Sequence, residues 1–594
     1  MLGERSAQRG LFEADTMFAD FVGRRNFYGF LASQRDELFR DADFAGLYCS
    51  NNGRPSVPPG LLATALVLQA YDGVSDDEAK QRADYDLRWK VALGIELDVR
   101  PFAKSTLQEF RAQLIVHDQT RAIFQRSLEV AKRRGVWKKG HPQHERQHMK
   151  LALDTTHILG RGAVKDSYNL LADGIVQVLH GLSKLGPFEV LDLAEELGCG
   201  RYVQGSSLKG QADVDWTDPH ARQQFLAEIV ADADRLLAVV RGMRAGLVED
   251  SAKDQELVAA AEVLARILGQ DIERDDNGPR LKHGVAPDRL ISVHDPDMRH
   301  GRKSSSHRFN GHKAQVAVDT DSQLITAVEV LPGNAADADR ALEVVEATEA
   351  ATDCEVVEVI GDCAYGAGST RAEFADSGRT IVAKVPEIHN QKFFAKTAFQ
   401  IDVETGTCTC PNQHTTRDLR PAQGGGGTFV FATEVCAACP LRAQCTRSQG
   451  GRTVQLHPQE ALLQQARELQ ASPAFEEARQ RRQVVEHRIA RLVQLGIRQA
   501  RYFGRTKTLF QLCLAAAVAN LTLLAATSNA VSMSGSEAFG WSLMLPAFIL
   551  SLSSLLLGLG LAALVIRHSA HLEKLIHPLI PIVQPLTPPS RPGF

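Results

Sequence analysis

Apolar residues recur at helical spacing through the first 135 residues of the chain. The clearest case is 61–73 (LLATALVLQAYDG), whose pattern ends in Asp-Gly, a pair typical of a helix end. Ser75 and Glu78 then have the spacing of a capping box, in which a hydroxyl and a carboxylate satisfy free backbone N–H groups at a helix start. Ser105 and Thr106 are expected to cap a third helix. The pattern predicts a helical N-terminal region.

Beyond residue 147 the pattern changes to short apolar runs that alternate with helical stretches. The predicted strands are 150–158, a hairpin over 311–331 that turns at 319–322, 355–362 and 379–385. The predicted helices lie within about 166–285, 336–350 and 460–530. Strands and helices in this order build a mixed sheet with helices on its faces, which is an α/β architecture.

The composition fits a folded chain with several domains. Its 594 residues are 44% hydrophobic, which excludes wholesale disorder, and the length suggests roughly three or four domains. A net charge of -4 does not indicate a nucleic-acid-binding protein. DNA binding would therefore have to rest on local basic clusters. The opening sequence LGERSAQRG has no apolar run, so a reducing, cytoplasmic location is expected.

The C-terminal tail has a different composition from the rest of the chain. Residues 538–566 carry no charge, and 541–566 are strongly apolar. A run of this kind is long enough to span a bilayer, which needs about 20 apolar residues. A buried hydrophobic hairpin and a tail without function are the alternatives, and a membrane span is the less favoured of these interpretations.

Two aspartates stand where apolar strands end, Asp154 in LALDTT and Asp362 in VIGDCAYG. Ligands of α/β proteins bind beyond the carboxyl ends of strands, so both side chains are candidates for a functional site. An aspartate at a strand end can equally cap the following turn. Taken alone, each residue leaves both interpretations open.

Glu486 is the only acidic residue between 479 and 507, where nine residues are basic. Arg479 and Arg482 precede it by seven and four positions, which places them on its helical face. A carboxylate among arginines suits a metal ligand beside a phosphate-binding surface, whereas a solvated helix with one ion pair is the simpler alternative. The candidate DNA-binding residues are Arg479, Arg482, Arg491, Arg498, Arg501 and Lys507.

Five cysteines cluster in one segment, namely Cys408, Cys410, Cys436, Cys439 and Cys445. Cys-x-x-Cys is the spacing of zinc knuckles, in which a turn brings two thiolates to one ion. The Cys-x-Cys pair is less usual, and five cysteines exceed the four ligands of a tetrahedral site. The segment is a candidate structural zinc site, with free thiols in a loop as the alternative.

These motifs, in this order, resemble the DDE transposases of bacterial insertion sequences. The resemblance covers roughly residues 30–530. The motifs that carry it are PPGLLATALVLQAYDGVSDDEAKQRADYDLRWKVALGI with STLQEFRAQL, LALDTTHI, DPDMRHGRKSSSHRFNGHKAQVAVDTDSQLITAVEVLPGNAADADRA, VIGDCAYG and RQVVEHRIARLVQLGIRQARYFGRTKTLFQLCLAAAVANL.

The resemblance implies an RNase H-like mixed sheet flanked by helices, within the α/β class. It also implies a helical N-terminal domain that binds DNA, a helical insertion and a small cysteine-rich insertion. The implied domains are 1–140 (helical), 147–400 with 455–530 (catalytic core), about 166–290 (helical insertion), 401–454 (cysteine-rich insertion) and 535–594 (apolar tail).

The resemblance also implies the chemistry. Asp154, Asp362 and Glu486 would bind divalent cations, Mg²⁺ or Mn²⁺, which activate a water or 3′-hydroxyl and stabilise the leaving oxygen. The implied reaction is metal-dependent strand cleavage and strand transfer at the ends of an insertion sequence. Double-stranded DNA, both transposon ends and target, is the implied partner, and a homodimer is expected in the synaptic complex.

The chain departs from the family in its phosphate contacts. Related transposases often have a tyrosine seven residues before the final glutamate and a lysine seven after it, where this chain has Arg479 and Val493. Arg482 matches the family's arginine. Three alternatives to a transposase remain at this stage: a nuclease of the same fold without strand transfer, a catalytically dead zinc-bearing DNA-binding relic, and a membrane-tethered protein.

Overall fold

The structure is a computed structural model that describes residues 1–6, 10, 12–49, 52–137, 147–244, 252–304, 306–386 and 392–534. The chain forms two compact units, Met1–Ala525 and Ala526–Phe594. The apolar tail 535–594 lies outside the described residues.

Helices occupy the N-terminal region. They are α1 (Ala14–Val22), α2 (Phe27–Leu38), α3 (Pro59–Asp72), α4 (Asp76–Tyr85), α5 (Leu87–Leu93), α6 (Lys104–Val116) and α7 (Ala122–Arg133).

The helix ends test the capping predictions for this region. Helix α3 ends at Gly73, whose φ of 68° is the left-handed conformation that glycine adopts without strain. The capping box of Ser75 and Glu78 is present at the start of α4. The predicted cap of α6 is wrong, because the helix begins at Lys104 and therefore includes Ser105.

Asp72 joins three elements of this helical region. Its carboxylate accepts hydrogen bonds from the Tyr28 hydroxyl at 2.6 Å and the Trp89 indole N–H at 2.7 Å, and it pairs with Arg82 at 2.7 Å. We expect Asp72→Ala to lower the free energy of unfolding by about 3 kcal/mol, because buried donors lose their acceptor. Denaturant unfolding followed by fluorescence measures the change.

The control for this prediction is Asp77→Ala. Asp77 pairs with Lys104, but its side chain is 69% exposed, so we expect a change within about 0.5 kcal/mol. Equal destabilisation by the two substitutions would contradict the role given to Asp72.

A long strand and a helical insertion follow. They are β1 (His148–Leu159), α8 (Ser167–Ser183), α9 (Val190–Glu196), α10 (Leu208–Gln211), α11 (Pro219–Arg244), α12 (Ala252–Asp271), β2 (Ile272–Asp275) and β3 (Gly278–Leu281). The insertion has its own hydrophobic core. The prediction of helix as far as 285 is wrong at its end, since α12 stops at Asp271 and an antiparallel hairpin follows.

The remaining strands of the main sheet and two of its helices come next. They are β4 (Arg299–Arg302), β5 (Arg308–Asp319), β6 (Ile325–Pro332), α13 (Ala341–Thr352), β7 (Glu355–Ile360), α14 (Gly368–Asp376) and β8 (Thr380–Val382).

A cysteine-bearing segment with small sheets lies between β8 and the last helices. Its elements are β9 (Gln400–Asp402), β10 (Thr407–Thr409), β11 (Thr415–Thr416), β12 (Leu419–Pro421), β13 (Gly427–Val430), α15 (Thr433–Ala437), α16 (Arg442–Cys445) and β14 (Thr453–Leu456). It is built around a small core that includes Phe399, Phe429 and Cys408.

The chain then ends its described part in helices α17 (Glu460–Gln470), α18 (Pro473–Gln494) and α19 (Arg505–Ser534). Within α19, Arg505–Thr527 is long and apolar enough to cross a membrane by length and composition alone, yet 72% of its apolar window is buried in the protein. Burial of this extent is also found in a core helix.

The strand order of the main sheet determines which candidate functional residues lie close together. Its strands lie in the order β6-β5-β1-β7-β8, with β4 also paired to β5. Strand β1 is antiparallel to β5 and parallel to β7, and β7 is parallel to β8. Leu151, Ala152 and Leu153 of β1 are consecutive and fully buried, so both faces of this central strand are covered there. This curled mixed sheet with flanking helices is an RNase H-like α/β fold.

Candidate active site

Asp154 and Asp362 reach the same part of the sheet because β1 and β7 are parallel and paired. The predicted strand-end position is wrong for Asp154, since β1 continues to Leu159, whereas Asp362 does follow the end of β7. Pairing between β1 and β7 stops at Ala152 and Ile360, so each aspartate lies two residues past the last pair. Asp154 accepts a hydrogen bond from the Thr155 backbone N–H at 2.7 Å, and Asp362 accepts one from Ala364 at 2.9 Å. Both carboxylates are therefore fixed by local backbone contacts.

Helix α18 carries Glu486 to this part of the sheet. Val485, its neighbour, is fully buried and packs α18 into the core. Arg482, one turn earlier, donates to Asp154 at 3.0 Å and also to the Glu486 carboxylate. The arginine thus links the acid on the helix to the acid on the central strand.

The three acids line one open cleft of about 600 Å³. Side chains of both charges surround it. Its other charged and histidine residues are His157, Arg302, Lys303, Lys313, Asp337, Arg482 and Arg498.

Burial and a neighbouring carboxylate both affect the protonation of Asp154 in the cleft. Burial raises the pKa of Asp154, and the nearby charge of Asp362 adds to that rise. Arg482 acts in the opposite direction and partly offsets it. Burial is thus the main reason why the ionised form of Asp154 is disfavoured, and the like charge beside it adds to that effect.

The other end of the cleft is basic. Burial, together with the charges of Arg498 and Lys303, lowers the pKa of His157 to about 4. Arg498 donates to the His157 carbonyl at 2.8 Å and to the Thr156 hydroxyl at 3.1 Å. His157 therefore stays neutral near pH 7 within a positive field.

Lys313 and Asp337 are cleft residues that the sequence reasoning missed. The Lys313 ammonium donates to the Asp337 carboxylate at 2.7 Å and to the Ala335 carbonyl at 2.6 Å. Gln315, two residues along β5, donates to the Asp337 carbonyl at 2.9 Å and fixes the same loop. Lys313 and Asp337 both lie in the long motif that carries the resemblance. Lys313 is opposite His157 in the β5–β1 register, and this pairing cannot be read from the sequence.

The predicted basic residues of α18 and its surroundings have separate environments. Arg482 and Arg498 line the cleft. Arg479 instead pairs with Glu476 at 2.9 Å on the exposed side of α18, and Arg491 donates to Gln494 at 3.2 Å. Arg501 and Lys507 are exposed.

The fit of the cleft to a divalent cation depends on its donor set and on Arg482. The oxygen atoms of three carboxylates are the kind of ligand that Mg²⁺ and Mn²⁺ prefer. Within the described residues, no three His, Cys, Asp or Glu side chains are already grouped as metal ligands. Arg482 lies between Asp154 and Glu486, and its positive charge sits where cation charge would be needed.

The cysteines divide into two environments. Cys410, Cys436, Cys439 and Cys445 line one small cavity of about 20 Å³, which is enough for a single water-sized occupant. Cys408 does not line it. That side chain is fully buried in the core of the segment, where burial raises the pKa of its thiol to about 11.

Three of the four cavity cysteines lie in backbone turns. The Cys439 N–H donates to the Cys436 carbonyl at 3.4 Å, as expected for a Cys-x-x-Cys turn, and the Arg452 backbone N–H donates to the Cys436 sulfur at 3.4 Å. Cys410 begins a second turn, in which the Gln413 N–H donates to the Cys410 carbonyl at 2.9 Å.

Comparison with known families identifies two regions of the chain. The family model "Transposase DDE domain" matches residues 409–525, and "Transposase domain (DUF772)" matches residues 17–113. The first includes the cavity cysteines and Glu486, and neither reaches Asp154 or Asp362. No curated protein and no solved structure matches the chain.

Proposed function

We propose, from the premise that this chain belongs to the DDE transposases of insertion sequences, that it cuts and joins DNA strands at the ends of such an element. The observation that carries this proposal is the single cleft shared by Asp154, Asp362 and Glu486. Acids from a central strand, from the strand beside it and from a helix converge there despite their wide separation in sequence.

The three carboxylates would hold divalent cations, Mg²⁺ or Mn²⁺. Such ions, when bound, neutralise the acids and act as Lewis acids on water, hydroxyl and phosphate oxygens. Asp154 and Asp362 are oriented by backbone N–H groups, so their oxygens are in place before a ligand arrives. Glu486 is exposed on α18, and its longer side chain can adjust to the other two.

Arg482 has two tasks in this proposal. It balances the negative charge of Asp154 and Glu486 while the cleft is free of other cations. With a cation held by the acids, the guanidinium would be free to donate to a phosphate oxygen of the DNA, in the fork geometry that suits this group.

The substrates follow from the same chemistry. Hydrolysis of a phosphodiester at the element's end leaves a 3′-hydroxyl, and attack of that hydroxyl on target DNA forms the new phosphodiester while the target's own bond breaks. Because two ends must be joined to one target, we propose that a homodimer acts on double-stranded DNA in the cytoplasm. Arg479, Arg482, Arg491, Arg498, Arg501 and Lys507 are the proposed DNA contacts outside the acids.

The test is a reaction on DNA that carries the element's own ends. Purified protein is incubated with a duplex bearing the terminal inverted repeats, a supercoiled target plasmid and Mg²⁺. We expect nicks at the repeat ends and covalent joining of those ends to the plasmid, both abolished by EDTA. Cleavage without joined product would favour a nuclease, and binding without cleavage would favour a relic.

We also propose that Cys410, Cys436, Cys439 and Cys445 hold a structural zinc ion. They line one cavity of about 20 Å³, and four thiolates complete a tetrahedral site. The Arg452 N–H that donates to the Cys436 sulfur is the kind of contact that supports a thiolate ligand. Zinc there would hold together a segment whose own hydrophobic core is small.

A further inference from the structure

We propose that Arg302, Lys303 and Arg308 form a basic edge that binds the phosphates of the DNA strand entering the cleft. This inference rests on the proposed function, because the cleft must receive DNA. It would add phosphate contacts at a hairpin of the main sheet to those proposed on and after α18.

The position of the basic edge is set by the β4–β5 hairpin. Arg302 ends β4, Arg308 begins β5, and the two are directly opposite each other in the register. All three side chains are exposed, and Arg302 and Lys303 line the same cleft as the catalytic acids. A strand held at this edge therefore reaches the acids without crossing the sheet.

The charges of the basic edge are not balanced within the protein. Among the described residues, none of the three forms an ion pair with a carboxylate. Other cations near the hairpin are paired, since Arg299 bonds to Asp288 and Lys313 to Asp337. Like charges directly opposite in an antiparallel pair are destabilising, so Arg302 and Arg308 carry a cost that a polyanion would relieve.

The rest of the cleft supports an anionic ligand at this end. His157, whose pKa is lowered partly by Lys303, packs against His307 and Phe309 of the hairpin with ring centroids 5.3 Å and 5.2 Å apart. This packing ties the hairpin to β1, three residues after Asp154. The hairpin that carries the basic edge is thus packed against the strand that carries Asp154, which suits a DNA strand that must be placed accurately.

The experiment measures DNA binding separately from catalysis. Fluorescence anisotropy follows a labelled duplex carrying one terminal inverted repeat, in Mg²⁺-free buffer over a range of salt. For the variant with Arg302, Lys303 and Arg308 all changed to Ala, we expect the log–log salt slope to fall by about 2 to 3, and affinity at about 0.1 M salt to fall on the order of 100-fold. A second variant, Arg302→Lys with Arg308→Lys, keeps the charges and should keep most of the slope.

The matched control removes three exposed cations from the helical insertion, Lys184, Lys253 and Arg274, by change to Ala. Its salt slope should stay near that of the wild type. An unchanged slope in the basic-edge variant, with its melting temperature retained, would overturn the inference. If the salt slope falls in the basic-edge variant but the wild-type protein shows no Mg²⁺-dependent cleavage, the basic edge is supported and the catalytic proposal is rejected.

Discussion

Changing Glu486 to Gln is expected to lower the rate of Mg²⁺-dependent DNA cleavage on the order of 1,000-fold. The substitution keeps the shape of the side chain and removes the charge that would hold a cation. Cation stabilisation of the transition state amounts to several kcal/mol, and each 1.4 kcal/mol changes the rate by about tenfold. Asp154→Asn and Asp362→Asn should have effects of similar size, while duplex binding in Mg²⁺-free buffer is retained.

Helix α18 supplies its own control for this result. Glu477 also accepts from an arginine four residues later, Arg481 at 2.9 Å, but is 67% exposed outside the cleft. Glu477→Gln therefore makes the same chemical change to the same kind of ion pair and should leave the cleavage rate unchanged. Full activity in Glu486→Gln, together with inactive Asp154→Asn, would mean that the third acid has been assigned to the wrong residue.

Much of the fold could be predicted because its signals are local. The capping box at Ser75 depends on residues three apart. The central strand β1 is covered on both faces at 151–153, and this burial is visible in the sequence as a run of apolar residues. The end of α12 was missed because its hairpin, 272–281, is short and polar. The cap predicted at Ser105 was wrong because the N-cap of α6 is Ala103, two residues earlier, which has no side chain that could have signalled it.

The candidate site divides along a similar line. Asp362 could be singled out because it follows a strand end, and Asp154 because it ends the apolar run of β1, although that strand continues to Leu159. Glu486 could be singled out because it stands alone among basic residues. Lys313 and Arg302 could not, because their place in the cleft depends on the β1–β5 and β4–β5 registers. Asp337 lies in a loop, and its place depends on the contacts that Lys313 and Gln315 make with it. Arg482 was predicted beside Glu486, but its bond to Asp154 was not, because the two residues are 328 positions apart.

The cysteine-bearing segment leads to the second large effect. We expect purified protein to contain about one zinc ion per chain, because four thiolates form one tetrahedral site, and we expect Cys436→Ala to lose nearly all of it. Zinc binding contributes on the order of 10 kcal/mol to the folding of small zinc domains. The same variant should therefore show fast hydrogen exchange across 399–456, while the central strand β1 stays protected.

Cys408→Ala separates the zinc site from the number of cysteines. This residue lies only two positions before Cys410, yet its thiol is buried in the core and does not line the cavity. Its loss should leave the zinc content near one per chain and cost only about 1 kcal/mol for a small cavity. Zinc loss in Cys408→Ala but not in Cys436→Ala would mean that the zinc ligands proposed here are the wrong sulfur atoms. A wild-type protein that contains no zinc and still shows slow hydrogen exchange in this segment would refute the site.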